Sequence, residues 1–249
     1  MSLGIVEDGW DSVVVEVGGE WIVRVPRRPE VRRALAVEVR LLPELPGPVP
    51  RFALVSEGAV AYRKLPGDPI DPSSRRVGAQ VGGFLAELHA FPVERARELG
   101  VPEPPWRETY ERFTREVLGA AELGPVAQAV VEGFLGDDAN FAWEPALVHA
   151  DLGPAHLLAE GDELTGVIDW GDVRIGDPAL DFAWLLRQPF AEAVLSAYGA
   201  HDPGVPGRAL FYHRLGPWYE LHYGLFFDRP EFVESGLAGV RSRLPRALP

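Results

Sequence analysis

The chain predicts an α+β protein in two parts, a small β-rich N-terminal lobe and a larger helical C-terminal lobe that carries an inserted polar hairpin. Three observations carry this reading. Apolar residues alternate on both sides of Gly18-Gly19 in "SVVVEVGGEWIVRVP", apolar residues recur at helical spacing beyond residue 75, and polar residues punctuate "LVHADLGPAHLLAEGDELTGVIDWGD", Leu147 to Asp172.

The first stretch reads as strands 12–17 and 20–25, because a Gly-Gly pair supplies the positive φ that a two-residue hairpin turn needs. That register sets Arg24 opposite Val13, beside the bend "DGWDS" at Asp8 to Ser12. "PEVRRALAVEVRLLPEL" follows with Val31, Ala34, Leu35, Leu41 and Leu42 on one helical stripe and Pro43 at its end. Glu38 falls on the stripe. An inward-facing acid next to a hairpin that carries Arg24 implies an ion pair, since a buried charge needs a partner.

Strands return at 52–56 and 59–65, and "LPGDPIDP" then breaks the pattern, placing the lobe boundary between residues 66 and 67. The C-terminal lobe opens with three helices. They carry Val77, Val81, Phe84, Leu85 and Leu88, then Trp106, Tyr110, Phe113 and Val117, then Val126, Val130 and Phe134; the aromatics read as core. The polar hairpin has strands at about 157–159 and 164–168 around the turn "EGDE", and further helices are expected near 178–187, 190–199 and 207–227.

Composition narrows the function. With 249 residues, 47% hydrophobic and 24% charged, the chain can bury one large core or two smaller ones. It has no apolar run long enough to span a membrane, and Glu7 and Asp8 interrupt the start that a signal peptide would need, so the expected address is the cytoplasm. No cysteine is present, which leaves oxygen and nitrogen groups to do any chemistry. The net charge of -13 argues against nucleic acid as a partner and for a cationic small molecule.

Asp151 precedes the first hairpin strand and Asp169 follows the second, so both emerge at one end, where His156 can join them. Converging oxygens suit Mg²⁺, which takes one or two carboxylates and completes its shell with phosphates and water. Paired carboxylates also serve hydrolases, and that chemistry stays open at this point.

The ordered set His149-x-Asp151, His156, "VIDW" with Asp169, and "GDPALD" with Asp177 and Asp181 resembles the aminoglycoside phosphotransferase and macrolide phosphotransferase family, antibiotic kinases of the protein-kinase-like fold. The resemblance extends to "GWDSVVVEV" and "WIVRVPRR", similar to the family's nucleotide loop and third strand, and to "AYRKLPG", similar to its hinge; it thins after about residue 190. It implies a bilobal kinase-like fold, a Mg²⁺-dependent enzyme that phosphorylates an alcohol group, and ATP or GTP as donor. Asp151 would be the general base, Asp169 the principal metal ligand, His156 the second ligand and His149 the residue that holds the catalytic loop. Nucleotide contacts would come from Trp10, Ser12, Arg24 with Glu38, Arg63 and Lys64. Asp177 and Asp181 would brace the loop and cap the next helix.

Two departures stand out. The family's phosphate-binding cation is commonly Lys, whereas the third strand here offers Arg24, a planar fork instead of a point charge. His156 occupies the family's Asn position, as in its 2''-aminoglycoside and macrolide branches, which include GTP users. For the acceptor, Asp172, Glu220 and Asp228 suit ammonium groups, while Trp218, Tyr219, His222, Tyr223 and Phe226 suit a macrolide or pack a helix. The acceptor is expected to be a cationic, aminoglycoside-like antibiotic, with phosphorylation conferring resistance. A macrolide, a metabolite such as a sugar, choline-like amine or homoserine, and a non-enzymatic nucleotide-binding or antibiotic-sequestering role are the alternatives.

Overall fold

The computed structural model describes residues 3–8, 11–200 and 202–244. Three strands open the chain, β1 (Leu3–Asp8), β2 (Ser12–Val17) and β3 (Trp21–Pro26); helix α1 (Pro29–Leu41) then leads to β4 (Phe52–Val55) and β5 (Val60–Arg63). Past the short β6 (Asp68–Pro69) come α2 (Arg75–His89), α3 (Val93–Glu98), α4 (Trp106–Ala120) and α5 (Gly124–Leu135). The polar segment supplies β7 (Ala146–Val148), β8 (Leu157–Glu160), β9 (Glu163–Val167) and β10 (Arg174–Gly176), before α6 (Ala191–Tyr198), α7 (Val205–Phe226) and α8 (Pro230–Arg243). No helix among the described residues is long and apolar enough to cross a membrane.

The contacts group into two compact units, one drawn from Met1–Glu103 and Pro145–Ala200, the other from Pro104–Glu144 and His201–Pro249. The boundary expected between residues 66 and 67 falls inside the first unit, where β6 pairs with β8.

The first unit contains all three sheets. Five antiparallel strands run in the order β1-β2-β3-β5-β4, while β6-β8-β9 and β10-β7 form smaller sheets. The β2–β3 register corrects the sequence reading: Arg24 pairs with Val14, not Val13. Its cause is the turn. Gly18 (φ 64°) and Gly19 (φ 76°) are both left-handed, but Glu20 also belongs to the loop, its N–H donating to the Val17 carbonyl at 3.3 Å. Three loop residues instead of two move every cross-strand partner by one.

Helix α1 starts on Pro29, which needs no N–H in the first turn, and buries Val31, Leu35, Val37, Glu38 and Leu41. Helix α2 is capped by Ser74, whose hydroxyl accepts from the Val77 amide. Leu41, Leu42, Leu85, Leu88, Leu147, Leu157, Val167, Trp170 and Ile175 form a fully buried core around the polar segment. The expected helix over 178–187 is instead two 3-10 turns, Pro178–Phe182 and Leu185–Arg187.

The second unit is helical. Tyr110, Val117, Phe134, Phe211, Tyr212, Leu215, Trp218 and Leu221 are among its buried apolar side chains, and the Phe134 and Phe211 rings stack at 3.5 Å. On α5 Phe134 is buried as expected, but Ala127 and Val131 are buried where Val126 and Val130 were expected, so the first two turns of the face are displaced by one residue. Helix α8, which the sequence reading did not anticipate, packs on α7, where Gly224 and Gly236 leave room for close approach.

Candidate active site

Strand β7 delivers the chain to His149, and the loop after it is held from below. Asp181, fully buried in the Pro178–Phe182 turn, accepts from the His149 amide at 3.0 Å and the Ala150 amide at 2.7 Å. Ala150 is left-handed (φ 69°), a conformation that a residue with a Cβ keeps only when its surroundings over-determine it. The His149 ring adds two bonds. Its Nε2–H donates to the Ile168 carbonyl at 2.9 Å, and Nδ1 accepts from the Asp151 amide at 3.3 Å. A carbonyl can only accept and an amide can only donate, so this ring is the neutral Nε2–H tautomer, and burial lowers its pKa accordingly. Asp177 caps the same 3-10 turn through the Ala179 amide.

Above that frame lies an open cluster. His156 sits in a short turn whose Nδ1–H donates to the Asp151 carbonyl at 2.6 Å, which leaves Nε2 facing Asp169 Oδ2 at 3.6 Å. The Asp151 carboxylate is 3.6 Å from the same ring on its Nδ1 side. Asp169 is itself left-handed (φ 63°) and leads into the Trp170–Asp172 turn, which is anchored by the Trp170 indole N–H on the Val167 carbonyl. The Asp151 and Asp169 side chains are about half exposed, at 46% and 56%. Enclosure of the Asp151 carboxyl pushes its pKa up to about 6; His156 opposes the rise, and Asp172 and Asp169 add to it. Asp169 and His156 could supply two ligands to a metal, and no cluster of three or more His, Asp or Glu placed to hold one occurs among the described residues. Two protein ligands and open directions suit a cation that shares its shell with phosphate and water.

In the five-stranded sheet, Arg24 reaches α1 and forms a two-pronged pair with Glu38, Nη1 to Oε2 at 2.6 Å and Nη2 to Oε1 at 3.1 Å. Both residues are buried. Burial pushes the Glu38 pKa up, and Arg24 pulls it back. Ser12 begins β2, and its buried hydroxyl has no hydrogen-bond partner among the described residues, so it retains a donor for a group that enters beside it.

Other expected site residues fall elsewhere. Arg63 pairs with Glu20 at 3.1 Å and lies over the Trp21 ring, while Lys64 pairs with Glu16 at 2.7 Å; both line an open cleft of about 720 Å³ with Gly67, Ala159 and Gly161. That cleft does not include Asp151 or Asp169. Asp172 is engaged by Arg174, whose guanidinium meets its carboxylate and donates from Nε to its carbonyl at 2.6 Å. Glu220 and Asp228 belong to the second unit, where Glu220 accepts from the Ser235 hydroxyl at 2.6 Å. Trp10 lies outside the described residues.

Four neighbours escaped the sequence reading. Asp11 pairs with Arg28 at 2.5 Å, and its pKa is raised by burial and by Asp172 and Asp169 nearby. Tyr62, buried on β5, is pushed up to about 12 by the same loss of solvent, and it feels Arg24, Glu38 and Asp169. Arg174 and His89 complete the group. Only Asp11, inside the polar bend already noted, carried a local signal; the other three depend on which elements meet.

A five-stranded sheet with a buried Arg–Glu pair, and a hairpin whose two ends bring together an Asp, a His and a second Asp, define a phosphotransferase of the kinase-like fold. Residues 3–211 match the Phosphotransferase enzyme family, and the chain belongs to it. A viomycin phosphotransferase from Streptomyces vinaceus is 29% identical over 241 residues, covering 88% of this chain and 82% of the relative. Among solved structures, the GDP and kanamycin complex of an APH(2'') enzyme aligns with a TM-score of 0.88 at 23% identity, covering 98% of this chain and 93% of that one. A macrolide 2'-phosphotransferase from Brachybacterium faecium aligns at 0.81 with 27% identity, also over 98% and 93%.

Proposed function

We propose that this chain transfers the γ-phosphoryl group of ATP or GTP to a hydroxyl of a cationic, aminoglycoside-like antibiotic, acting in the cytoplasm and conferring resistance. The observation that carries the reading is the grouping of Asp151 and His156, on a braced loop, with Asp169 just past the end of β9, each carboxylate 3.6 Å from the His156 ring. Residues 1–66 serve the nucleotide and residues 67–249 the acceptor.

In this reading Asp151 orients the acceptor hydroxyl and takes its proton as the oxygen bonds to the γ-phosphorus. The bond to the β-phosphate oxygen breaks, and the nucleoside diphosphate leaves with those electrons. Phosphoryl transfer of this kind is catalysed mainly by positioning and charge neutralisation. Asp169 and His156 would hold Mg²⁺, which supplies positive charge against the phosphates when bound. The Ser12 hydroxyl and the Arg24 fork are the donors nearest in kind to what phosphate oxygens need, and Arg24 is kept in direction by Glu38. Arg63 and Lys64 border the nucleotide from the hinge.

For the acceptor, Asp172 in the first unit and, separately, Glu220 and Asp228 in the second are the carboxylates proposed to meet ammonium groups. The net charge of -13 supports a cationic partner, and the kanamycin bound to one structural neighbour supports an amino sugar. A macrolide acceptor is the second reading. It is favoured by the likeness to a macrolide 2'-phosphotransferase and by the stacked Phe113–Tyr219 and His222–Phe226 rings, at 4.4 and 4.3 Å.

Screening ATP and GTP against kanamycin, viomycin, macrolides, homoserine and small amino alcohols tests the assignment. Turnover with an amino-bearing antibiotic is expected; turnover confined to macrolides or metabolites would replace the acceptor and leave the kinase. Asp169→Ala is expected to abolish Mg²⁺-dependent nucleotide binding. An unchanged Mg²⁺ response in that variant would remove Asp169 from the metal.

A further inference from the structure

His89 closes α2 and takes no part in the chemistry above, yet it is a buried titratable side chain joined to the catalytic loop by two bonds in series. Its Nε2 lies 3.0 Å from Asp181 Oδ2, and Asp181 in turn receives the amides of His149 and Ala150. The other ring nitrogen, Nδ1, lies 3.0 Å from the Tyr198 hydroxyl at the end of α6. A carboxylate only accepts, so Nε2 carries the proton toward Asp181, and the Tyr198 hydroxyl then donates to Nδ1 in the neutral ring. Phe182 and Tyr198 enclose the imidazole edge-on, with ring centroids 6.1 and 5.5 Å away.

The helices are built to bring these groups together. Gly78 and Gly82 face α6 from α2; a Cβ on Gly82 would run into the Val194 carbonyl oxygen and the Tyr198 amide, and one on Gly78 would meet Phe190. Glycine at both positions lets α6 lie against α2, so that Tyr198 reaches His89. Every member of the chain Tyr198, His89, Asp181, Ala150 lies in the first compact unit.

We propose that His89 and Tyr198 are positioning residues for phosphoryl transfer: they fix the direction of the Asp181 carboxylate, which holds Ala150 in its left-handed conformation and thereby aims Asp151. The two amides take one carboxylate oxygen each, and the His89 N–H approaches Oδ2 from the side of α2, so that it holds the carboxylate against the pull of the strained Ala150 toward a relaxed conformation. The proposal rests on Asp151 as the base for its effect on turnover, but its effect on the loop is independent of that reading.

Two measurements test it, each on the full chain. Amide hydrogen exchange followed by NMR reads the loop directly. In His89→Leu the His149 and Ala150 amides are expected to exchange about ten-fold faster or more, while the Ile175 amide, bonded to the Pro102 carbonyl in the same unit, keeps the parent rate. Turnover of GTP and ATP with water as acceptor should fall by about ten-fold or more with the nucleotide KM unchanged, as expected of a misaimed group. His89→Gln keeps an N–H at the Asp181 end and should recover both readouts to within about three-fold of the parent. Tyr198→Phe should cost less than His89→Leu, and it should cost nothing further in the His89→Leu background. Where His89→Leu does not fold, Tyr198→Phe, which removes one hydroxyl and keeps the ring, carries the same comparison of amides. Equal acceleration at Ile175, parent-like exchange at His149 and Ala150, failure of Gln to rescue, or additive losses would each overturn the proposal. Parent-like turnover in Asp151→Asn would sink the base assignment instead and leave the amide result standing.

Discussion

The two faces of the loop from His149 to His156 are made of the same residue types and behave in opposite ways. Beneath it, the side chains of His149, Asp181 and His89 are buried, and each has partners at 2.7 to 3.3 Å. Above it, Asp151 and Asp169 are about half exposed, and their carboxylates stand 3.6 Å from the His156 ring. Desolvation explains the contrast. A polar group cut off from water costs several kcal/mol unless bonded, so the lower face is saturated, whereas water can satisfy the upper face until a ligand arrives. Saturated polar groups therefore mark the scaffold, and the incompletely satisfied ones beside them mark the chemistry.

The Arg24–Glu38 pair belongs with the buried class and offers the largest test of that division. Glu38→Ala leaves a guanidinium buried without its carboxylate and is expected to cost about 3–5 kcal/mol of stability, read as a lower denaturant midpoint. Arg24→Ala strips Glu38 of the cation that holds its raised pKa in check, and the pKa rises further. A folded-state pKa above the unfolded value of about 4.3 means that the folded protein holds its proton longer, so stability is lost as pH rises through the folded pKa. The deficit of Arg24→Ala against the parent should therefore grow as pH rises above the unfolded-state value of about 4.3. A flat difference would show that Glu38 is not isolated.

Asp151→Asn acts on the open face, and the expectation is reversed: turnover falls by about 10² or more, while the unfolding midpoint and nucleotide affinity stay near the parent values. A comparable loss of stability would move Asp151 into the scaffold class. The smallest effect is expected at the surface. Lys64→Ala removes a pair with Glu16 in which the lysine is nearly half exposed, and it should change stability by no more than about 1 kcal/mol, decreasing with salt. If nucleotide KM rises in that variant at unchanged stability, Lys64 touches the nucleotide despite its exposure.

Much of this was written locally. Alternation around Gly18-Gly19 sets β2 and β3, the stripe from Val31 to Leu41 sets α1, and Glu38 on that stripe already required a cation. The spacing of His149, Asp151, His156 and Asp169 around a short hairpin was enough to converge them, because a hairpin returns its two ends to one place. These features depend on residues near in sequence or on one turn, and periodicity and turn chemistry act over that range. The tertiary structure decided what depends on distant partners. It moved Arg24 opposite Val14 through one extra loop residue, turned α5 onto Ala127 and Val131, and bent 178–187 into two 3-10 turns so that Asp177 caps and Asp181 points at the loop. It also gave Asp172 to Arg174 and brought His89 and Tyr198, 109 residues apart, into one hydrogen bond. Single-residue periodicity carries no information on which of two apolar faces will find a partner, and hydrogen bonds between helices exist only once packing has chosen their distance.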